Sequence, residues 1–340
     1  MLGLLIMAAG ALLFVPAAET RAYPLFLLGL FTIGTGLSLL QTASNPYITV
    51  VGPIESAAAR ISIMGICNKA AGMLAPFVVG FFLLGDASAL EQRLATLTGD
   101  AREAALTELA DRVVVPYLGM AAVLVLLGIG IRFAPLPELA VEEEEKHGAP
   151  DGRSVLSYPQ LVFGVVALFL YVGVEVLAGD SIGPYGSSLG IPLDEAKLFT
   201  SYTLGAMIVG YIVGILCIPR FFSQSQALLG SAILGVVLTL GVVLLPGYAS
   251  VLSIALLGLA NALVWPAIWP LAIDGLGRHT KTASALLIMA IAGGALLPLV
   301  YGWLGSLPGI GLQQAYWLMV PCYLFIGWYA LAAPRLRARA

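Results

Sequence analysis

The chain alternates between long apolar runs and short polar turns. A helix needs about 20 apolar residues to cross a bilayer, and several runs reach that length. They lie near residues 2–18, 24–50, 58–85, 113–134, 157–179, 198–220, 225–245, 249–273, 282–304 and 313–333. The pattern predicts an all-α membrane protein with ten transmembrane helices.

Two segments between the predicted spans are longer and more polar. Leucines recur at near-helical spacing between residues 86 and 112, which predicts an amphipathic helix on the membrane surface. The segment 135–156 contains the acidic run Glu142–Glu145 and predicts a cytoplasmic linker. We therefore expect an N-terminal bundle of four helices at 1–134 and a C-terminal bundle of six helices at 157–340.

The composition excludes several classes of protein. Apolar residues make up 60% of the chain and charged residues 10%, whereas soluble domains carry about 25% charged residues, so lipid covers much of the surface. The net charge of −3 is too small to indicate nucleic acid as a partner. The three cysteines, Cys67, Cys217 and Cys322, lie in apolar runs without CxxC spacing, and neither a disulfide framework nor a metal site is expected.

The distribution of basic residues predicts the orientation, because cytoplasmic loops of membrane proteins are enriched in Lys and Arg. With Met1 in the cytoplasm, ten of the 16 Lys and Arg residues fall in cytoplasmic loops. These ten are Arg60, Arg132, Lys146, Arg153, Arg220, Arg278, Lys281, Arg335, Arg337 and Arg339. Both termini are therefore predicted to be cytoplasmic.

Two stretches of the chain resemble each other, at 36–80 and at 258–302. Matching glycines, prolines and Ile-Met pairs recur at offsets of 222 to 225 residues. Parallel repeats of this kind relate the two halves of major facilitator transporters. The same offset places the partners of the helices at 157–220 before Met1, so we expect that about 65 residues with two further helices are missing.

Specific motifs carry a resemblance to one family. Gln41 to Tyr47 (QTASNPY), Gly52-Pro53, the stretch 60–69 and the stretch 261–271 resemble the fucose permease and glucose/galactose permease branch of the major facilitator superfamily. The resemblance implies a major facilitator fold in the inner membrane of a bacterium, with ten helices (4 + 6) here instead of twelve. It also implies a monomer that transports a monosaccharide by alternating access, commonly with protons.

The chain departs from the family pattern in two ways. The first two helices of the family are absent, together with the first-helix acid that the fucose permease uses in proton coupling. Gln41 stands where the fucose permease has a Glu, and an amide does not titrate. The resemblance therefore supports sugar recognition more strongly than proton coupling.

Polar side chains inside the spans are the candidates for sugar recognition. A polar group in lipid must be paired or face a wet cavity, and amides and aromatic rings suit sugar hydroxyls and C–H faces. The candidates are Gln41, Asn45, Asn68, Lys69, Asn261, Trp265 and Trp269. Alternatively, these groups only join helices, and Asn45 satisfies backbone groups freed by Pro46.

Charged residues suggest proton coupling and gating. A carboxylate that loses contact with water takes up a proton more readily, so Glu175 and, at the end of the predicted span, Asp180 are the candidate proton carriers. Lys69 lies deep in a span and either binds sugar or pairs with an acid. Two charged pairs lie in equivalent cytoplasmic turns of the two halves: Glu55 with Arg60, and Asp274 with Arg278. They are candidates for ion pairs that close the transport path on the cytoplasmic side.

Two other readings remain open at the level of sequence. A chain without two helices can be a non-transporting protein or a sugar sensor. A membrane enzyme is less favoured, because HExxH and GxSxG motifs and a phosphate-binding loop are absent from the sequence. No cofactor is expected, and glucose, galactose, fucose or an amino sugar all fit as the substrate.

Overall fold

The structure is a computed structural model that describes residues 1–83, 97–134, 154–196 and 198–338. All regular structure in these ranges is helical. The N-terminal helices are α1 (Leu2–Thr20), α2 (Tyr23–Val50), α3 (Ala57–Leu83) and α4 (Gly99–Phe133). The next five are α5 (Pro159–Ser188), α6 (Leu193–Ala196), α7 (Phe199–Cys217), α8 (Gln224–Leu244) and α9 (Gly247–Ala262). The last five are α10 (Val264–Ile273), α11 (Thr280–Met289), α12 (Gly293–Ser306), α13 (Gly311–Ala315) and α14 (Met319–Arg337).

These helices confirm the predicted class of fold. Nine helical stretches in the described ranges are long and apolar enough to cross a membrane. The remaining predicted span, at 58–85, corresponds to the helix α3, which has 27 residues. The length of the apolar runs was sufficient for this prediction, because a chain that crosses lipid must satisfy its backbone groups internally and therefore forms a helix.

The chain divides into two compact units. One comprises Met1–Ser44 and Leu74–Pro137, and the other comprises Asn45–Met73 and Glu138–Ala340. The second unit therefore takes the end of α2 and most of α3 together with the C-terminal helices. The predicted bundle boundaries at 134 and 157 stay a prediction.

In the first unit, small residues and one aromatic stack hold the helices together. Gly36 lies so close to α1 that a Cβ there would stand 2.5 Å from the carbonyl oxygen of Gly3. Phe14 stacks on Tyr117 of α4 with 4.2 Å between ring centroids. Arg21 ends α1 in the left-handed region, with φ at 48°, and donates to Glu103 at 2.5 Å.

In the second unit, α5 is the central helix and packs against α9, α10, α12 and α14. The core around it is unusually rich in large aromatic side chains, of which Trp269, Tyr171, Tyr323 and Tyr329 are almost fully buried. Tyr329 donates to the carbonyl of Gln160 at 2.9 Å. The buried hydroxyl of Tyr329 thus has an acceptor within the unit, as apolar surroundings favour.

Three of the predicted spans are interrupted, and in the last of them the 3-10 turn Tyr316–Leu318 separates α13 from α14. Leu263 separates α9 from α10, and Pro266 in the first turn of α10 lacks the N–H that would continue the α9 ladder. The 3-10 turn Ala290–Ala292 separates α11 from α12. The break at Leu263 lies between Asn261 and Trp265.

The two polar segments, 86–112 and 135–156, are only partly described by the structure. The prediction of a separate surface helix is wrong for its described part, because α4 runs without interruption from Gly99 to Phe133. Its first turns are amphipathic, yet they continue directly into the span. The remainder of that segment, 86–96, and most of the predicted linker, 135–153, lie outside the described residues.

Candidate functional site

A part-buried ion pair forms the centre of the candidate site. Lys69 on α3 donates to Oε1 of Glu175 on α5, and the two side chains are only 17% and 16% exposed. The sequence analysis named both residues but did not pair them. The helix α5 extends to Ser188, so Glu175 lies nearer its middle than the predicted span end at 179 suggested. Removing one partner of such a pair typically costs about 3–5 kcal/mol, because the other charge stays buried.

Tyrosines surround Glu175. Tyr171, one turn earlier on α5, lies within hydrogen-bonding reach of the carboxylate. Tyr211 of α7 and Tyr323 of α14 are close enough to interact with it electrostatically. All three are buried. The sequence analysis missed them, although the i,i+4 spacing of Tyr171 and Glu175 was a usable signal.

A glycine on α3 makes room for one of these tyrosines. A Cβ at Gly65 would lie 2.6 Å from Cζ of Tyr211. Gly65 and Lys69 are four residues apart and share one face of α3. The face of α3 that carries the ammonium therefore packs closely on α7.

Asp180 adds a second carboxylate on α5. It is exposed, and both Glu175 and Lys69 act on it electrostatically. The hydroxyl of the next residue, Ser181, forms a hydrogen bond with the hydroxyl of Tyr316 at 2.6 Å. The two predicted proton carriers therefore lie on one helix and within range of one lysine.

The two tryptophans predicted to bind sugar stack on each other. Trp265 and Trp269 have ring centroids 5.4 Å apart and planes inclined by 24°. Trp265 also contacts Tyr171 with 6.5 Å between centroids. Asn261 accepts a hydrogen bond from the hydroxyl of Tyr323 at 2.8 Å. The aromatic and amide candidates thus join the tyrosines that surround Glu175.

Two buried donors in this cluster have no acceptor among the described residues. They are Nδ2 of Asn261 and Nε1 of Trp269, and both side chains are fully buried. An unpaired buried N–H group costs about 1–3 kcal/mol. Such groups point to an acceptor that the described protein atoms do not supply.

The predicted residues of α2 and the start of α3 differ in exposure. Gln41 is half-buried, Asn45 is buried and Asn68 is exposed. The carbonyl of Asn45 accepts from Oγ1 of Thr49 at 2.8 Å. Gln41 lies in the first unit, so its place relative to the ion pair stays a prediction.

At the end of α2, Arg60 has different partners from those predicted. It donates to backbone carbonyls and to one hydroxyl, and none of these described bonds reaches Glu55, which is exposed. The acceptors are the carbonyls of Ile48, Thr49, Gly52 and Pro53 and Oγ of Ser56, at 2.6 to 3.2 Å. Arg60 therefore holds the turn between α2 and α3.

Asp274, at the end of α10, likewise has a partner that the sequence analysis did not name. It forms an ion pair with Arg337 at the end of α14. Arg278 lies beside His279, with 3.4 Å between Nε and Nε2. Asp274 therefore also connects this turn to the C-terminal helix, and the pairing of Asp274 with Arg278 stays a prediction.

Comparison with known proteins agrees with this architecture. Residues 1–298 match the family model of the Major Facilitator Superfamily. The chain is 33% identical over 332 residues to a glucose/galactose transporter of Brucella abortus biovar 1 (strain 9-941), covering 97% of this chain and 76% of that protein. It is 29% identical over 317 residues to an L-fucose-proton symporter of Escherichia coli (strain K12), covering 90% and 72%.

The fold also matches a solved structure. The major facilitator transporter FucP, in the outward conformation, superposes with a TM-score of 0.85 at 26% identity, covering 97% of this chain and 81% of that chain. Because the family match spans most of the chain and the superposition nearly all of it, we conclude that this protein belongs to the Major Facilitator Superfamily and is a transporter rather than an enzyme.

Proposed function

We propose that this transporter moves a monosaccharide, a hexose such as glucose, galactose or fucose, across the membrane by alternating access, with a proton as the coupling ion. Two of its relatives are a glucose/galactose transporter and an L-fucose-proton symporter. Both carry hexoses, and one of them carries protons as well. The internal repeat is consistent with alternating access between two related halves.

The unpaired donors beside the tryptophan stack carry this proposal. Sugar hydroxyl and ring oxygens are acceptors that suit the N–H groups of Asn261 and Trp269. The stacked indole of Trp265 can cover the C–H face of a pyranose. A buried amide, an aromatic face and an ammonium from Lys69 together match a polyhydroxylated, uncharged ligand.

Three further residues, on α2 and α3, are proposed to bind sugar. They are Gln41, Asn45 and Asn68. Their side-chain amides both donate and accept hydrogen bonds, as sugar hydroxyls require. Asn68 is adjacent to Lys69 in the chain, and its side chain is exposed.

Glu175 and Asp180 are the proposed proton-coupling residues. They are close to each other and to Lys69, so a proton that binds to one changes the charge felt by the other. Gln41 does not titrate. The acids of α5 therefore take over a function for which α2 offers no carboxylate.

We propose that the charged turns act as gates on the cytoplasmic side. Arg60 and Glu55 mark the turn after α2, while Asp274 and Arg278 mark the turn after α10. The structure adds Arg337 to the second turn. Exposed ion pairs contribute at most about 1 kcal/mol, which suits contacts that must break in each transport cycle.

The proposed location is the inner membrane of a bacterium, with both termini in the cytoplasm. The excess of Lys and Arg in alternate loops supports this orientation. We propose that the transporter acts as a monomer surrounded by lipid, since the sugar site is built from residues of one chain.

Uptake of labelled hexoses by liposomes that contain the purified chain tests this function. We expect saturable uptake that unlabelled hexose competes with and that an inward proton gradient increases. Trp269→Phe keeps the ring but removes the donor, so it should weaken sugar binding by about 3- to 10-fold, the equivalent of one hydrogen bond. Trp303→Phe, at an exposed ring, is the matched control and should bind sugar like the unchanged protein.

The alternatives give different results in the same assay. Sugar binding without uptake would identify a sensor and contradict the transport proposal. Well-folded protein that neither binds nor transports any hexose would exclude the sugar site altogether.

A further inference from the structure

Two carboxylates on α5, Glu175 and Asp180, and one ammonium on α3, Lys69, act on each other electrostatically, and their charges do not sum to zero. Lys69 and Glu175 form an ion pair. Asp180, further along the same helix, forms no ion pair with the described residues. The other charges that act on it are those of Glu175 and Lys69. The group therefore contains two carboxylates and one ammonium, with a net charge of −1.

The position of the Lys69 ammonium determines which of the two carboxylates has its negative charge neutralised. Lys69 contacts Glu175 directly, and both side chains are largely removed from solvent. A buried charge is stable when it is paired, and breaking such a pair is costly. Glu175 has its countercharge within the protein, so among the residues that the structure describes the uncompensated charge of the group resides on Asp180.

We propose that Asp180 is the residue that carries the coupling proton, and that Lys69 serves as a permanent countercharge for Glu175. This inference rests on the proposed function and specifies the site of its proton. When the transporter closes around its sugar, an uncompensated carboxylate within the membrane is expensive. A proton on Asp180 removes that charge, and one proton per sugar is sufficient because Glu175 needs none.

The surroundings of Asp180 suit exchange of a proton with water. Its side chain is exposed, whereas Glu175 is largely covered by Lys69 and the tyrosines. The neighbouring Ser181 and Tyr316 supply hydroxyl groups on the buried side. Among the described residues, the titratable side chains near this part of α5 include Tyr316, Tyr301, which packs on Tyr316 with 4.8 Å between ring centroids, and the exposed Glu195 on α6, a helix that packs against α5.

The test measures sugar accumulation in liposomes with the membrane potential clamped at zero and an inward gradient of one pH unit. One coupled proton supports accumulation up to about tenfold, and two coupled protons up to about 100-fold. We expect about tenfold for the unchanged protein. Asp180→Asn should lose gradient-driven accumulation while it still exchanges labelled for unlabelled sugar. The matched control Glu195→Gln, at an exposed acid in α6, should accumulate sugar like the unchanged protein.

The double variant Lys69→Met with Glu175→Gln removes the ion pair without changing the net charge. We expect slower transport but the same ceiling of about tenfold accumulation. The inference is overturned if this variant loses accumulation and retains exchange, if Asp180→Asn accumulates sugar normally, or if the unchanged protein approaches 100-fold. Should the double variant fail to fold, the pH change on adding sugar to protein in weakly buffered detergent decides the question. The unchanged protein should take up protons and Asp180→Asn should not, and equal uptake by both contradicts the assignment.

Failure of the broader function looks different. Sugar transport that no proton gradient affects, in the unchanged protein, would refute proton coupling itself. A gradient effect that survives in Asp180→Asn would refute only the assignment to Asp180.

Discussion

Arg60 closes the C-terminal end of α2, where the last carbonyls of a helix have no partners within the helix. Its guanidinium presents N–H donors in a fixed fork, and these reach the carbonyls of Ile48, Thr49, Gly52 and Pro53. A positive charge at this end also offsets the helix dipole. One side chain thereby fixes the direction in which the chain leaves α2 and enters α3.

Arg60→Ala should lower the free energy of unfolding by about 2–3 kcal/mol, because several carbonyls lose a charged donor. Arg60→Lys should recover only part of this, since a single ammonium cannot reproduce the fork. Glu55→Gln is the control and should change stability by at most about 0.5 kcal/mol. Thermal unfolding in detergent measures all three. A Glu55→Gln loss as large as that of Arg60→Ala would mean that the predicted ion pair, and not the carbonyl cap, stabilises the turn.

Individual polar residues could be predicted from the sequence more readily than their partners. A lysine or glutamate within an apolar run is noticeable because lipid offers it no solvation, so Lys69 and Glu175 were found separately. Nothing in the spacing relates positions 69 and 175, since their contact depends on how α3 packs against α5. The structure adds partners for Arg60 and Asp274 that spacing along the chain does not indicate, namely backbone carbonyls and the distant Arg337.

At the level of helices, small residues set how closely the elements approach. Two glycines of α3 show the contrast, since Gly65 faces the ring of Tyr211 while the nearest atom to a Cβ at Gly72 is Cδ1 of Leu204 at 3.7 Å. Close helix packing in membranes depends on such small residues. The apolar pattern predicted where the helices are, but which glycine carries a contact required the packing itself.

Gly65→Ala should therefore destabilise the protein by about 1–3 kcal/mol, as overpacking in a filled interior does. The displaced Tyr211 should also weaken sugar binding, because it belongs to the group around Glu175. Gly72→Ala, on the same helix, should be neutral or more stable by up to about 1 kcal/mol, since alanine favours the helix. Unfolding in detergent and sugar titrations compare the two. A Gly65→Ala protein as stable as Gly72→Ala would show that α3 and α7 can separate without cost.

For the whole molecule, the distribution of charge determines the orientation in the membrane. Alternate loops carry most of the Lys and Arg residues, and the family match gives the fold but not its direction. The prediction that the chain lacks two helices of the family stays a prediction. Orientation, in contrast, can be tested on the chain as it is.

Single cysteines report which side of the membrane a loop faces, in a protein whose Cys67, Cys217 and Cys322 have been replaced. Phe221→Cys lies in the exposed turn between α7 and α8 (67% exposed), and Pro308→Cys lies in the exposed turn after α12. The turn that contains Phe221 follows Arg220 and should be cytoplasmic, because translocating basic residues is disfavoured. A maleimide that cannot cross membranes should therefore label Pro308→Cys in intact cells and Phe221→Cys only after the cells are opened. The reverse pattern would invert the topology, and it would place the charged turn at Asp274 outside the cell, where it could not act as a cytoplasmic gate.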